Sequence, residues 1–231
     1  MKRGVHIEDG FREAHRDAAA CGFWAAFGAK LRWPLGPSDK ALAFIAANLD
    51  PDDAISAVDG DGAFLGIAGF KTPQGAFVGG GLRELRPVYG GLGSLWRGGL
   101  LGVLERDCEP GTLLMDGIFV RADARGRGVG TSLLDAVVRR ARTRGLDHVR
   151  LDVVDGNDRA RALYERRGFK AVRHASIGPL RRVFGFAGAT IMMKTVRRAT
   201  DDAGGSRGYG PRQRTSTNRI NEPSEVFPFG T

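Results

Sequence analysis

Arg121-Ala122-Asp123-Ala124-Arg125-Gly126-Arg127-Gly128-Val129-Gly130-Thr131 stands between an apolar run of strand length and a helix, and the fold is read outward from it. Before it, Leu113–Val120 is apolar apart from Asp116, which reads as a strand. After it, Val129–Arg144 repeats apolar residues at Val129, Leu133, Leu134, Val137, Val138 and Ala141, the 3.6-residue period of a helix with one buried face. A glycine-rich turn entering a helix leaves backbone N–H groups with no helical carbonyl to bind. With the positive end of the helix, those donors form an anion cradle. Glycine lets the backbone approach phosphate oxygens without a side chain in the way, and Arg125 and Arg127 add charge. Two other phosphate loops do not match: Gly130 is followed by Thr131 with no lysine, and glycines at 126, 128 and 130 do not space as Gly-x-Gly-x-x-Gly. An Arg/Gly turn of no special purpose is the plain alternative.

Downstream, His148–Val154 alternates as a strand, Asn157 caps a short helix to Arg167, and Gly168 ends it. Phe169–His174 and Thr190–Val196 read as further strands, and the polar, aperiodic tail from Arg197 reads as disordered. Upstream, Phe11–Leu31 has helical character, and a second helix runs from an N-capping Ser38 to Asn48, with Pro51 as its stop. Ala54–Asp59 and Phe64–Lys71, joined by Gly60-Asp61-Gly62, form a β-hairpin. Between Gly75 and Gly102 lie ten glycines, with a short helix expected over Leu92–Leu104.

The chain has 231 residues, 35 Lys+Arg and 26 Asp+Glu, for a net charge of +9. Residues 1–120 carry a net −3, residues 121–182 a net +9 and the remainder +3. A local basic zone reads as an anion site, for nucleic acid or a phosphate-rich cofactor, or as a solvated arginine-rich surface. No apolar run approaches the ~18–20 residues of a membrane span, and Met1–Ala20 lacks the apolar segment of a secretory signal, so a cytoplasmic protein without membrane contact is expected. His6, His15, His148 and His174 show no ligand spacing, and Cys21 and Cys108 cannot build a zinc cluster, so no metal is expected.

The hexapeptide Arg125-Gly126-Arg127-Gly128-Val129-Gly130 is followed by Leu151-Asp152-Val153-Val154, then Asn157, Ala160, Leu163-Tyr164 and Gly168-Phe169. Together they resemble the GNAT N-acetyltransferase superfamily, whose signature is Gln/Arg-x-x-Gly-x-Gly/Ala. In that superfamily an apolar strand, an Asn, a short helix with Leu-Tyr and a Gly-Phe follow. The likeness runs from Leu113 to roughly His174 and is weaker in the N-terminal half.

The resemblance implies an α/β (α+β) fold with a central mixed, mostly antiparallel sheet flanked by helices. It places one domain over 1–196, with a cofactor core at about 112–174, a Gly-rich insert at 75–110 and a tail at 197–231. It implies acetyl-CoA as co-substrate, its pyrophosphate on Arg125, Gly126, Arg127, Gly128, Val129, Gly130 and Thr131, and its pantetheine arm paired with Ile118, Phe119 and Val120. Tyr164 stands where the family often has a proton donor, or is a helix tyrosine packed in the core. Asn157 is the helix cap and, by resemblance, also a cofactor contact. A base must take a proton from the attacking amine. Asp116, read as sharing a face with Ile118 and Val120, and Asp152 are the candidates, beside water chains. The acceptor is an amine-bearing small molecule or a protein N-terminus, and the protein a monomer or homodimer. A longer acyl-CoA donor is the alternative within the fold. A non-catalytic nucleic-acid module is the alternative outside it, and residues 121–160 hold no Phe, Tyr or Trp to stack on bases.

Overall fold

The computed structural model describes residues 4–104, 107–178 and 185–196. The tail expected to be disordered lies outside these residues, as does part of the loop before the last strand. One sheet organises the fold, its strands in the order β1 (Val5–Asp9), β2 (Ala54–Asp59), β3 (Phe64–Thr72), β5 (Thr112–Val120), β6 (His148–Val154), β8 (Gly188–Thr195) and β7 (Lys170–Ser176). The short β4 (Gly75–Ala76) pairs with β3. Every neighbouring pair is antiparallel except β5 with β6. Parallel neighbours need a crossover. That crossover is α5 (Val129–Thr143), which buries Val129, Leu133, Leu134, Val137, Val138 and Ala141, the face read from the sequence. They join Ile55, Phe70, Leu113, Met115, Leu151 and Met192 in one core.

On the opposite face, α1 (Arg16–Leu35) and α2 (Ser38–Ala47) build a second core around Ala41, Phe44, Ile45 and Ile67. The first helix differs from its expected span: a 3-10 turn occupies Glu13–His15, and the helix passes Pro34 before Gly36 N–H closes on Arg32 O at 2.9 Å. Ser38 is not the cap of α2. Pro37 holds that position with extended backbone, and Ala41 N–H donates to its carbonyl. The hairpin of β2 and β3 forms as read, with Asp59 accepting the N–H groups of Asp61 and Ala63 in its turn.

Three elements escape the sequence reading. Strand β1 interleaves Val5 and Ile7 with His6 and Glu8, so only its inner side is apolar, and Val5 and Ile7 pack on the α5 core. The pair β4 has two residues and no pattern to read. Helix α3 (Leu82–Tyr89) arises inside the glycine-rich stretch despite Pro87, because Glu84 reaches back to accept the N–H of Gly81 and Leu85 is buried. Helix α4 (Gly91–Leu104) covers the expected short helix. It docks through Arg97, which lies over the Tyr89 ring and donates to Gly36 O.

Leu134 is fully buried between α5 and the sheet. Leu134→Ala is expected to cost about 2–5 kcal/mol, read as a lower denaturant midpoint with unchanged slope.

Candidate active site

Strands β5 and β6 pair over four positions, Thr112↔His148 to Met115↔Leu151, and then part. On its other side β5 stays paired with β3 as far as Gly66↔Val120. Among the described residues no strand pairs with Gly117–Val120 on the side toward β6, and the backbone donors and acceptors of this segment border an opening. Ile118, Phe119 and Val120, the residues assigned to an extended cofactor arm, lie along it.

The β3–β5 ladder steps from Gly69↔Gly117 to Phe70↔Met115, so Asp116 is an extra residue, a β-bulge. The bulge corrects the expected facing. Leu113 and Met115 belong to the α5 core, and Ile118 and Val120 pack against the same core. Asp116 instead lines a narrow cleft on the α1 side with Gly117, Phe119, Phe23, Phe27 and Phe77. Phe23 and Phe27 stand one turn apart on α1 with ring centroids 4.6 Å apart. Gly117 is required there, since a Cβ on it would lie 2.3 Å from the Phe27 ring.

At the end of β5 the chain makes a 3-10 turn at Ala122–Ala124 and enters α5 through the glycine loop. Gly126 and Gly128 have φ of +77° and +82°, left-handed values that favour glycine, and the space a Cβ would take at either is open. The first intrahelical bond runs from Ser132 N–H to Gly128 O at 3.0 Å. The N–H groups of Val129, Gly130 and Thr131 thus have no helical acceptor. Arg125 folds back, its Nε donating to Val120 O at 3.3 Å, and Arg127 is exposed. Open glycines and unmatched donors at a helix start suit the anionic end of a nucleotide cofactor.

Across the opening, Asn157 caps α6 (Asp158–Arg166) by accepting Ala160 N–H at 3.2 Å, as read from the sequence. Tyr164, on that helix, is 9% exposed and packs beside Phe169 at 5.9 Å between centroids. Its ring belongs to the core. Burial pushes its phenol up to about 12. Asp152, on the side of β6 away from the α5 core, is paired with Arg150, Oδ1 to Nε at 3.3 Å. Sequence reasoning passed over Arg150 as one more member of the basic zone. The alternation of Arg150 and Asp152 with the buried Val149, Leu151 and Val153 was the available signal. The cleft phenylalanines were also missed, although the four-residue spacing of Phe23 and Phe27 is visible. Cys108 lies close by: its thiol is raised chiefly by burial, lowered by Lys71 and Arg150, and raised by Asp116.

Several arginines of the basic zone are paired within the protein: Arg140 with Asp9 at 2.6 Å, Arg144 with Asp53 at 3.1 Å, Arg161 with Glu165 at 2.9 Å and Arg121 with Asp123 at 2.7 Å. Among the described residues no group of His, Cys, Asp and Glu is arranged to hold a metal, and no helix is long and apolar enough to cross a membrane.

Because the folded chain holds the Tyr164 proton more tightly than the unfolded one, its contribution is present below pH ~10 and is lost as pH rises through the folded value. Wild-type protein is expected to lose up to about 2–3 kcal/mol between pH ~10 and ~12 from this group. Denaturant titrations at pH 9 and 11.5 should show that loss reduced in Tyr164→Phe.

Residues 22–169 match the model of the acetyltransferase (GNAT) family. A mycothiol acetyltransferase from Beutenbergia cavernae is 36% identical over 121 residues, which are 52% of this chain and 29% of that protein. An L-methionine sulfoximine/L-methionine sulfone acetyltransferase from Pseudomonas aeruginosa is 40% identical over 53 residues, 23% of this chain and 31% of that protein. The chain thus spans under a third of the length of these curated relatives. Among solved structures, a GCN5-related N-acetyltransferase from Kribbella flavida has a TM-score of 0.55 at 18% identity, covering 83% of this chain and 97% of its own. Ard1 from Thermoplasma volcanium has a TM-score of 0.54 at 15% identity, covering 84% and 99%. These two likenesses are of fold.

Proposed function

The chain belongs to the acetyltransferase (GNAT) family, and on that premise we propose that it moves an acetyl group from acetyl-CoA to a primary amine by direct attack on the thioester. The observation that carries this reading is the continuity of the β5 segment beyond its last pair with β6, Gly117–Val120, with the open-glycine start of α5. A thioester cofactor needs an extended arm and a pyrophosphate bound end to end, and this stretch offers a strand edge followed by an anion cradle.

In this reading the N–H groups of Val129, Gly130 and Thr131, with Arg125, Gly126, Arg127 and Gly128, hold the pyrophosphate. Ile118, Phe119 and Val120 align the arm, and Asn157 borders it. The amine nitrogen attacks the carbonyl carbon, the N–C bond forms and the C–S bond breaks. The ammonium proton passes to a base, and the departing thiolate is met by a donor. Tyr164 serves as that donor. A phenol held near 12 stays protonated at neutral pH and stabilises developing thiolate charge by hydrogen bonding. Asp116, which lines the aromatic cleft, and Asp152, paired with Arg150, are the proposed acceptors of the amine proton, directly or through water. The names of both curated relatives describe small acceptors, which favours a small amine over a protein N-terminus.

Thermal unfolding tests the donor site. Acetyl-CoA at a hundred times its Kd should stabilise by about 2.7 kcal/mol, or roughly 5–10 °C for a chain of this length. Gly128→Glu should remove the shift by placing a carboxylate among the donors. Gly128→Ala carries the backbone strain without the charge and should keep part of the shift. An undiminished shift in Gly128→Glu would overturn the loop assignment.

With acetyl-CoA saturating, Tyr164→Phe is expected to lower kcat by about a hundred- to ten-thousandfold while Kd for acetyl-CoA stays near wild type. An unchanged kcat across pH would remove Tyr164 from the reaction.

A further inference from the structure

We infer that the acceptor is an amine bearing a carboxylate close to its nitrogen, an amino-acid-like zwitterion, and that Arg150 binds the carboxylate. This rests on the acetyl-transfer reading above and names the acceptor class for the same site.

The argument starts from the Arg150–Asp152 pair. Its side chains are 14% and 12% exposed, so both charges are largely desolvated. Arg150 meets Asp152 through Nε alone, at 3.3 Å. The two terminal nitrogens have no hydrogen-bond partner among the described residues, although they form the edge that receives a carboxylate in a bidentate pair. Neither is among the nitrogens sealed from solvent without a partner. The guanidinium is therefore fixed at one nitrogen, with its fork left for a further acceptor.

Its position is that of an acceptor-binding group. Arg150 stands level with Leu114, one pair before β5 and β6 part, and Asp116 and Asp152 follow on the diverging strands. Arg173 is level with Ile191, which is itself level with Asp152, so the register brings a further cation to that row. Lys71, Arg150 and Asp116 all lie near enough to act on the Cys108 thiol. Three cations and two carboxylates thus share one side of the opening. A bare ammonium would be repelled by that surplus. A zwitterion satisfies both signs, with its carboxylate on Arg150 and its nitrogen toward the two aspartates, of which Asp116 borders the phenylalanine cleft.

The test compares matched acceptors with acetyl-CoA, following thiol release: L-phenylalanine and L-methionine against phenethylamine, 3-(methylthio)propylamine and L-phenylalaninamide. Wild-type kcat/KM should favour the two acids by roughly ten- to hundredfold, the scale of hydrogen bonds to a charged group. Arg150→Met should shrink that preference through KM for the acids, and Arg150→Lys should keep part of it. The acetyl-CoA thermal shift, recorded on every variant, reports folding and the donor site separately. The inference is overturned if acids and decarboxylated amines react equally, or if the preference survives in a folded Arg150→Met. A wild-type protein that shifts with acetyl-CoA but acetylates neither acid overturns it too and leaves the donor reading standing. No shift with acetyl-CoA in the wild type overturns both.

Discussion

The parting of β5 from β6 after Met115 and Leu151 is the constraint on which the rest of the site depends. Buried backbone N–H and C=O groups are rarely left unmatched, and a strand edge inside a sheet is a place where they would be. Here β5 continues past the last parallel pair with β3 as its one strand partner among the described residues. The bulge at Asp116 sits where the pairing stops and re-aims the strand. Ile118 and Val120 then remain with the α5 core, while Gly117 and Phe119 turn to the α1 side. The same rephasing puts a carboxylate at the mouth of an aromatic cleft. Without the extra residue, strict alternation would leave Ile118 and Val120 pointing away from the helix that anchors the loop.

Legibility followed the length of the pattern. The fifteen residues of α5 carry a sustained period, so the helix, its buried face and its glycine entry could all be read. The Asn157 cap and the end at Gly168 were legible for a local reason, since each is set by one residue's own geometry. Strand β1 was not, because at five residues with three polar side chains it is an edge whose identity comes from pairing with β2. Helix α3 was hidden by glycines and Pro87, which local propensity counts against a helix and which burial of Leu85 overrides. The facing of Asp116 was illegible for a deeper reason. A bulge is a property of two strands, and one strand's sequence shows only alternation. Arg150 was visible as a residue but not as a partner, since its significance lies in one bond to Asp152 and in where β5 ends its pairing.

The charge distribution gains its meaning in the same way. Along the chain, an acidic first half and a basic zone at 121–182 look like separate functions, and the basic zone alone suggests nucleic acid. In space, α5 lies over β1 and β2, and its arginines reach the acidic half directly, Arg140 to Asp9 and Arg144 to the buried Asp53. These cations complement the negative end of the helix while anchoring it. At the other end of α5, the glycine loop leaves donors unmatched. The helix therefore divides the basic zone: Arg140 and Arg144 near its C-terminal end pair with aspartates of the acidic half, and its N-terminal loop leaves the N–H groups of Val129, Gly130 and Thr131 without helical acceptors. A surface built for a polyanion would have little reason to pair its arginines with aspartates. An enzyme that must fix one helix start within a fraction of an ångström of a strand edge does, because the anchored end sets where the open end lies.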